Sequence, residues 1–145
     1  MQNDIVNKND KEFELSMTWK SVLDSMHDGV YITDSKGVTI FVNKAYTRIS
    51  GIKKEEVIGW HMEDLIKKGL FLESASLLAL ERREPVTLID KFKNGKRCLI
   101  TSSPVFDESG NIIMVVTNLR DMTELVNLEN KIEQYEKTIE GTVRL

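Results

Sequence analysis

Apolar positions change their period several times along this chain, and each change marks an element. Phe13, Met17, Trp19, Val22, Leu23 and Met26 fall at near-helical spacing, which predicts a short amphipathic helix over 13–27 with Asp28-Gly29 as its stop. The polar stretch 1–12 before it predicts a flexible leader. Gly29 to Asp34 is then rich in β-branched and aromatic residues, Ser35-Lys36-Gly37 punctuates it, and Val38 to Val42 is a second such run, so the pair predicts a hairpin. Lys44 to Ser50, Lys54 to Ile58 and Met62 to Lys67 predict short helices that close near Gly51, Gly59 and Gly69. Glu73 to Arg83 has Ala75, Leu78, Ala79 and Arg82 on adjoining faces and predicts a further helix, stopped by Pro85. Val86 to Phe92 and Lys96 to Phe106 flank Asn94-Gly95, a pair suited to a type I′ turn. A turn over 108–111 leads to the apolar run Ile112 to Leu119. Two strands, several short helices and three strands predict an α+β fold with a five-stranded antiparallel sheet and the helices on one face.

The tail obeys another rule. Leu125, Leu128, Ile132, Tyr135 and Ile139 step by three and four, as the a and d positions of a two-stranded coiled coil do. Lys131 and Glu136 would then pair across a parallel homodimer, whereas Glu124 and Glu129 would repel. Twenty residues make a helix of about 30 Å, which is marginal alone. Two arrangements satisfy the stripe: a parallel dimer, or one helix packed on its own sheet.

Composition adds an address to this picture. The 145 residues suit one domain with an appendage, 121–140, and a short end, 141–145. Apolar residues are 41% and charged ones 30%, against averages of roughly 45–50% and 25%. Of the net charge of −3, the stretch Asp121 to Glu140 contributes −4 through six acids and two lysines, leaving a near-neutral body over 28–120. No electrostatic footprint for nucleic acid is present. No apolar run is long enough for a membrane span, and Met1 to Glu14 lacks the pattern of a signal peptide. One cysteine, Cys98, excludes a disulfide framework and a zinc ribbon. The expectation is a cytoplasmic protein.

Several short motifs now combine. Asp28-Gly29-Val30-Tyr31-Ile32-Thr33-Asp34, Gly37, Val42-Asn43-Lys44-Ala45-Tyr46 and Gly51 resemble the opening of a PAS domain. Glu55-Glu56-Val57-Ile58-Gly59, the hairpin at Asn94-Gly95-Lys96, and Asp107 to Ile112 resemble its later parts. Asp121-Met122-Thr123-Glu124 resembles the family's closing Asp-Ile-Thr-Glu. The wording of Val116 to Leu125 is most similar to PAS sensors that head sigma-54-dependent transcriptional activators. Asp34 suits an Asx-type turn, with Gly37 free to take positive φ. Asn43 suits an N-cap, and Asp121 or Thr123 can cap the tail, forming a signal junction.

The resemblance implies a ligand space between the inner face of the sheet and the central helices. Strand alternation within it proposes an inward set: Tyr31, Thr33, Ile40, Val42, Leu88, Asp90, Cys98, Ile100, Ser102, Val115, Thr117 and Leu119. Tyr46, Ile49, Ala75 and Leu78 would close it. From these, the ligand-pocket candidates are Tyr31, Thr33, Val42, Tyr46, Leu78, Asp90, Cys98, Ile100, Ser102 and Thr117. The polar members must hold each other, water or a small ligand, and an inward Asp90 favours a cationic or hydrogen-bond-donating partner. At an edge, Asp90 would instead reach solvent, Lys91 or Arg97.

By the same resemblance, flavin photosensors carry a reactive cysteine shortly after the Gly59 region, where Met62 stands here; haem-binding members use a histidine on the central helix, and 73–83 has none. Neither cofactor is expected, and the ligand is an unidentified small molecule. His27 and His61 lack partners at metal-site spacing, so no metal is expected. Cys98 is either a thiol facing the pocket or an inert core residue. No phosphate-binding loop, nucleophile elbow or zinc-protease helix occurs, and no enzymatic activity is expected. The sequence points to a homodimeric sensor whose effector lies outside this chain, a transcriptional activator or a histidine kinase. The alternative is a ligand-free interaction module.

Overall fold

The computed structural model describes residues 16–71 and 74–143. The expected leader, Phe13 and Glu73 lie outside them. In chain order the elements are α1 (16–25), then β1 (Gly29–Asp34), β2 (Thr39–Val42), α2 (Lys44–Ser50), α3 (Lys54–Val57), α4 (Met62–Lys67) and α5 (Ala75–Arg82). β3 (Val86–Lys91), β4 (Arg97–Phe106), β5 (Ile112–Asp121) and α6 (Thr123–Val143) follow. The strands form one antiparallel sheet in the order β2-β1-β5-β4-β3. The α+β expectation is met. Among the described residues no helix is long and apolar enough to cross a membrane.

One amide organises the β1–β2 end. The Asn43 side chain caps α2 by accepting from Tyr46 N at 2.9 Å, and its Oδ1 also accepts from Val30 N at 2.8 Å. Its Nδ2 donates to Leu23 O and Asp28 O at 2.7 and 3.1 Å, so α1, β1 and α2 meet on one side chain. Gly29 is required beside it, because a Cβ there would stand 2.9 Å from Tyr46 Cα.

Three hairpin turns are built alike, and not as the Asn-Gly pair suggested. In each, a glycine in left-handed conformation donates its N–H to the carbonyl three residues before it: Gly37 to Asp34, Gly95 to Phe92 and Gly110 to Asp107. A type I′ turn needs positive φ at both central residues, and Asn94 does not adopt it. Its side chain is used otherwise, with Nδ2 donating to Ile49 O at 2.8 Å and so tying the β3–β4 loop to α2. Asp34 forms the expected Asx-type turn, accepting from Lys36 N and Val38 N.

One further expectation is corrected. Ile40 points outward and is 48% exposed, while Thr39 is buried, because a bulge in the β1–β2 ladder shifts the register between Ile32 and Thr33. The helix expected to run to Arg83 ends there, with Arg83 as its cap in left-handed conformation two residues before Pro85. Its start is Ala75, capped by Ser74 Oγ.

The inner face of the sheet is covered by α2 over β1 and by α5 over β3, β4 and β5. Two clusters form the core. The larger includes Tyr31, Tyr46, Ile49, Val57, Leu65, Cys98 and Leu119; the smaller joins Ala75, Ala79, Val86 and Val115, with Ile100 packed against both.

Candidate functional site

The inner face of the β3–β4–β5 half is where packing is incomplete. β4 and β5 turn Ile100, Ser102, Thr117 and Leu119 inward, and β3 adds Leu88 and Asp90. Tyr46 of α2, Met62 of α4, Phe71, Phe92 and the start of α5 (Ser74, Ala75 and Ser76) close a cavity of about 40 Å³. A water needs about 10–15 Å³ measured this way, so a few waters or a small molecular head fit, well short of the roughly 300–1,000 Å³ of a drug-sized site.

The polar groups of this wall differ in how well they are satisfied. Ser102 Oγ and Thr117 Oγ1, directly paired across β4 and β5, lie 2.6 Å apart in a hydrogen bond. Two hydroxyls can share one such bond, leaving a second hydrogen to place. Asp90 is half-buried on the edge strand, and one carboxylate oxygen accepts from Lys91 N at 2.7 Å. Among the described residues it has no ion pair. Tyr46 is buried, its hydroxyl has no hydrogen-bond partner among the described residues, and burial above all pushes its ionisation well above the ordinary tyrosine value.

Of the pocket candidates, Tyr46, Asp90, Ile100, Ser102 and Thr117 line the cavity. Tyr31, Thr33, Val42, Leu78 and Cys98 do not. Tyr31 closes its end of the core by bonding Thr39 Oγ1 and donating to Met62 Sδ at 3.1 Å; burial raises its hydroxyl to about 12, against the bond to Thr39. Thr33 is buried, with its hydroxyl unpaired among the described residues. Val42 belongs to the larger cluster and Leu78 packs on the smaller one. Cys98 is fully buried, and burial, with Asp121 and Asp90 nearby, raises its thiol to about 11, so it is an inert core residue. Of the histidines, His61 caps α4, accepting from Glu63 N at 3.1 Å while Nε2 donates to Lys36 O at 2.7 Å.

Sequence reasoning missed Met62, Phe71, Phe92, Ser74 and Ser76 in the wall. Strand alternation speaks only for strands, whereas these residues come from helix ends and a loop. The capping signal at Ser74, a serine before an apolar helical run, was legible.

The exit from the site is short. Thr117 and Leu119 line the cavity, and Asp121 ends the same strand. Two residues of strand span about 7 Å. Asp121 Oδ1 accepts from Thr123 N, the first N–H of α6, at 2.9 Å and from the Thr123 hydroxyl. These bonds and Lys96 at 4.0 Å outweigh the desolvation of Asp121, leaving its carboxyl below the usual range. Arg120 donates to Asp28 Oδ2 at 3.1 Å, joining the exit of β5 to the start of β1. From there α6 leaves the body: Leu128, Ile132 and Tyr135 are 56%, 56% and 70% exposed. The sheet-packed alternative for this helix does not hold.

Comparisons with known proteins agree with this geometry. The family model of the PAS domain matches residues 27–124. The sensor protein kinase WalK of Staphylococcus saprophyticus is 27% identical over 125 residues, covering 86% of this chain and 20% of that protein. The chain therefore spans about a fifth of the length of that curated relative. Among solved structures, an RNA-binding light-oxygen-voltage receptor superposes with a TM-score of 0.61 at 19% identity, over 88% of this chain and 39% of the other. The PAS domain of Bordetella pertussis BvgS gives 0.56 at 20% identity, over 86% and 98%.

Proposed function

This chain belongs to the PAS domain family, and from that premise we propose that it senses a small ligand in the β3–β4–β5 cavity and reports occupancy through α6. One observation carries the reading: a single strand, β5, supplies cavity wall at Thr117 and Leu119 and the cap of α6 at Asp121. A ligand that favours one arrangement of β5 thereby favours one orientation of α6, a shift between states that exist beforehand.

The partner of α6 is the same helix of a second copy, in parallel register. The stripe Leu125, Leu128, Ile132, Tyr135 and Ile139 has coiled-coil spacing and is exposed along its whole length. As effector, a histidine kinase is favoured by the name of the WalK relatives; the resemblance of 116–125 to the sensors of sigma-54-dependent activators supports a transcriptional activator as the second reading.

Native mass spectrometry of the chain as purified tests both claims. A small-molecule adduct that is lost on denaturation, on a dimer, is the expected result. A bare, ligand-free chain would leave the interaction-module reading in its place. Leu128→Asp with Ile132→Asp should convert the dimer to monomer; a dimer that persists would move the interface, with the exposed Trp19 and Val22 of α1 next in line.

A further inference from the structure

We infer that the ligand is a small organic cation, an alkylammonium head held between aromatic rings and the carboxylate of Asp90. This rests on the ligand-sensing reading above and goes further by fixing the charge and chemical class. Among the described residues the lining of the cavity includes three aromatic side chains, Tyr46, Phe71 and Phe92, and one charged one, Asp90, with no lysine, arginine or histidine. Ring faces are electronegative and attract a cation within about 6 Å, most strongly where water is excluded. The rings are already braced: Tyr31 stands edge-on to Tyr46 at 5.1 Å between centroids and to Phe71 at 6.2 Å.

Asp90 sets the sign. Its carboxylate receives only the adjacent backbone N–H of Lys91 and has no ion pair among the described residues. A half-buried charge beside apolar walls acts more strongly than one in open water, repelling an anion and drawing a cation. Asp90, Phe71 and Phe92 also line an outer groove of about 240 Å³. A head entering the inner 40 Å³ passes the carboxylate, and any tail stays in that groove. Lys91 and Lys93 line the outer groove and not the inner cavity, and both are exposed. An anionic ligand would thus lose its water facing Asp90 with no cation in the inner wall to replace it.

The test is calorimetric titration of the whole chain with ethylammonium chloride and tetramethylammonium chloride, against sodium acetate, all at matched ionic strength. The expected result is saturable binding of at least one ammonium probe and none of acetate. Asp90→Asn should weaken the ammonium at least about tenfold while leaving the melting of the free protein unchanged. Phe71→Leu, which keeps apolar bulk and removes the ring, should weaken it by a smaller factor. Acetate binding as well as the ammonium probes, or an Asp90→Asn affinity equal to the wild type, would overturn the inference. A neutral or anionic adduct in native mass spectra would overturn it while leaving the sensor reading intact; no adduct together with no probe binding would sink both.

Discussion

The two ends of the inner sheet face are finished to different degrees. At the β1–β2 end Asn43 uses its oxygen and nitrogen in four hydrogen bonds, and Tyr31 is paired with Thr39 and Met62. At the β3–β4 end an edge strand brings in a carboxylate without an ion pair, a hydroxyl pair has a hydrogen to spare, and space remains between them. The closed end holds the frame, the buried Thr33 hydroxyl being its one side-chain group unpaired among the described residues; the open end has polar groups beside open space, where a ligand can use them. Both ends reach the terminal helices, the first through the bond from Asn43 to Leu23 O in α1, the second through Asp121 under α6.

The sharpest way to break this comparison is at its strongest point. Asn43→Ala removes four hydrogen bonds, the cap of α2 among them, and should cost roughly 3–5 kcal/mol or abolish folding, read by urea denaturation. High pH attacks the larger core cluster next, which holds both Tyr31 and Cys98. Cys98 and Tyr31 are raised to about 11 and about 12, so the stability they confer is complete below their ordinary values of 9.0 and 10.0 and is lost as pH rises through the raised ones. A decline on the order of 2 kcal/mol by pH 11 is expected in denaturation curves, and Cys98→Ala should reduce it. Asp121 works in the opposite direction: its carboxyl is lowered, so its contribution is present above the ordinary 3.8 and fades as pH falls through the lowered value, loosening the α6 junction in acid.

Smaller changes compare the ends directly. Tyr31→Phe should cost about 1–2 kcal/mol, because Thr39 loses a buried partner. Ser102→Ala should cost less, under about 1 kcal/mol, since water in the cavity can serve Thr117. Asp90→Asn should stay within about 0.5 kcal/mol of the wild type. If Ser102→Ala proved the most damaging of the three, the open end would be a packed core after all.

Much of the frame was legible from local rules. Gly51 and Asn43 bracket α2 as a left-handed cap and an N-cap, and alternation found Ser102 and Thr117. What escaped had a non-local cause. Ile40 turned out because a bulge breaks the alternation that placed it inside. Asn94-Gly95 made a different turn because Asn94 is used to hold α2. Tyr31 has the right parity for the cavity but lies beneath Met62, a neighbour supplied by a helix distant in sequence. Phe71 and Phe92, which give the site its aromatic character, come from a segment after α4 and from the β3–β4 loop, where no periodicity operates.

The central claim, that the open end is the sensing end and speaks to α6, is tested most directly by amide hydrogen exchange. The chain as purified is compared with the same chain denatured, desalted and refolded. Faster exchange after stripping is expected at residues 86–91, 117–119 and 121–126, with 29–34 and 43–50 unchanged. Exchange that changes only at 29–34, or does not change at 121–126, would contradict it.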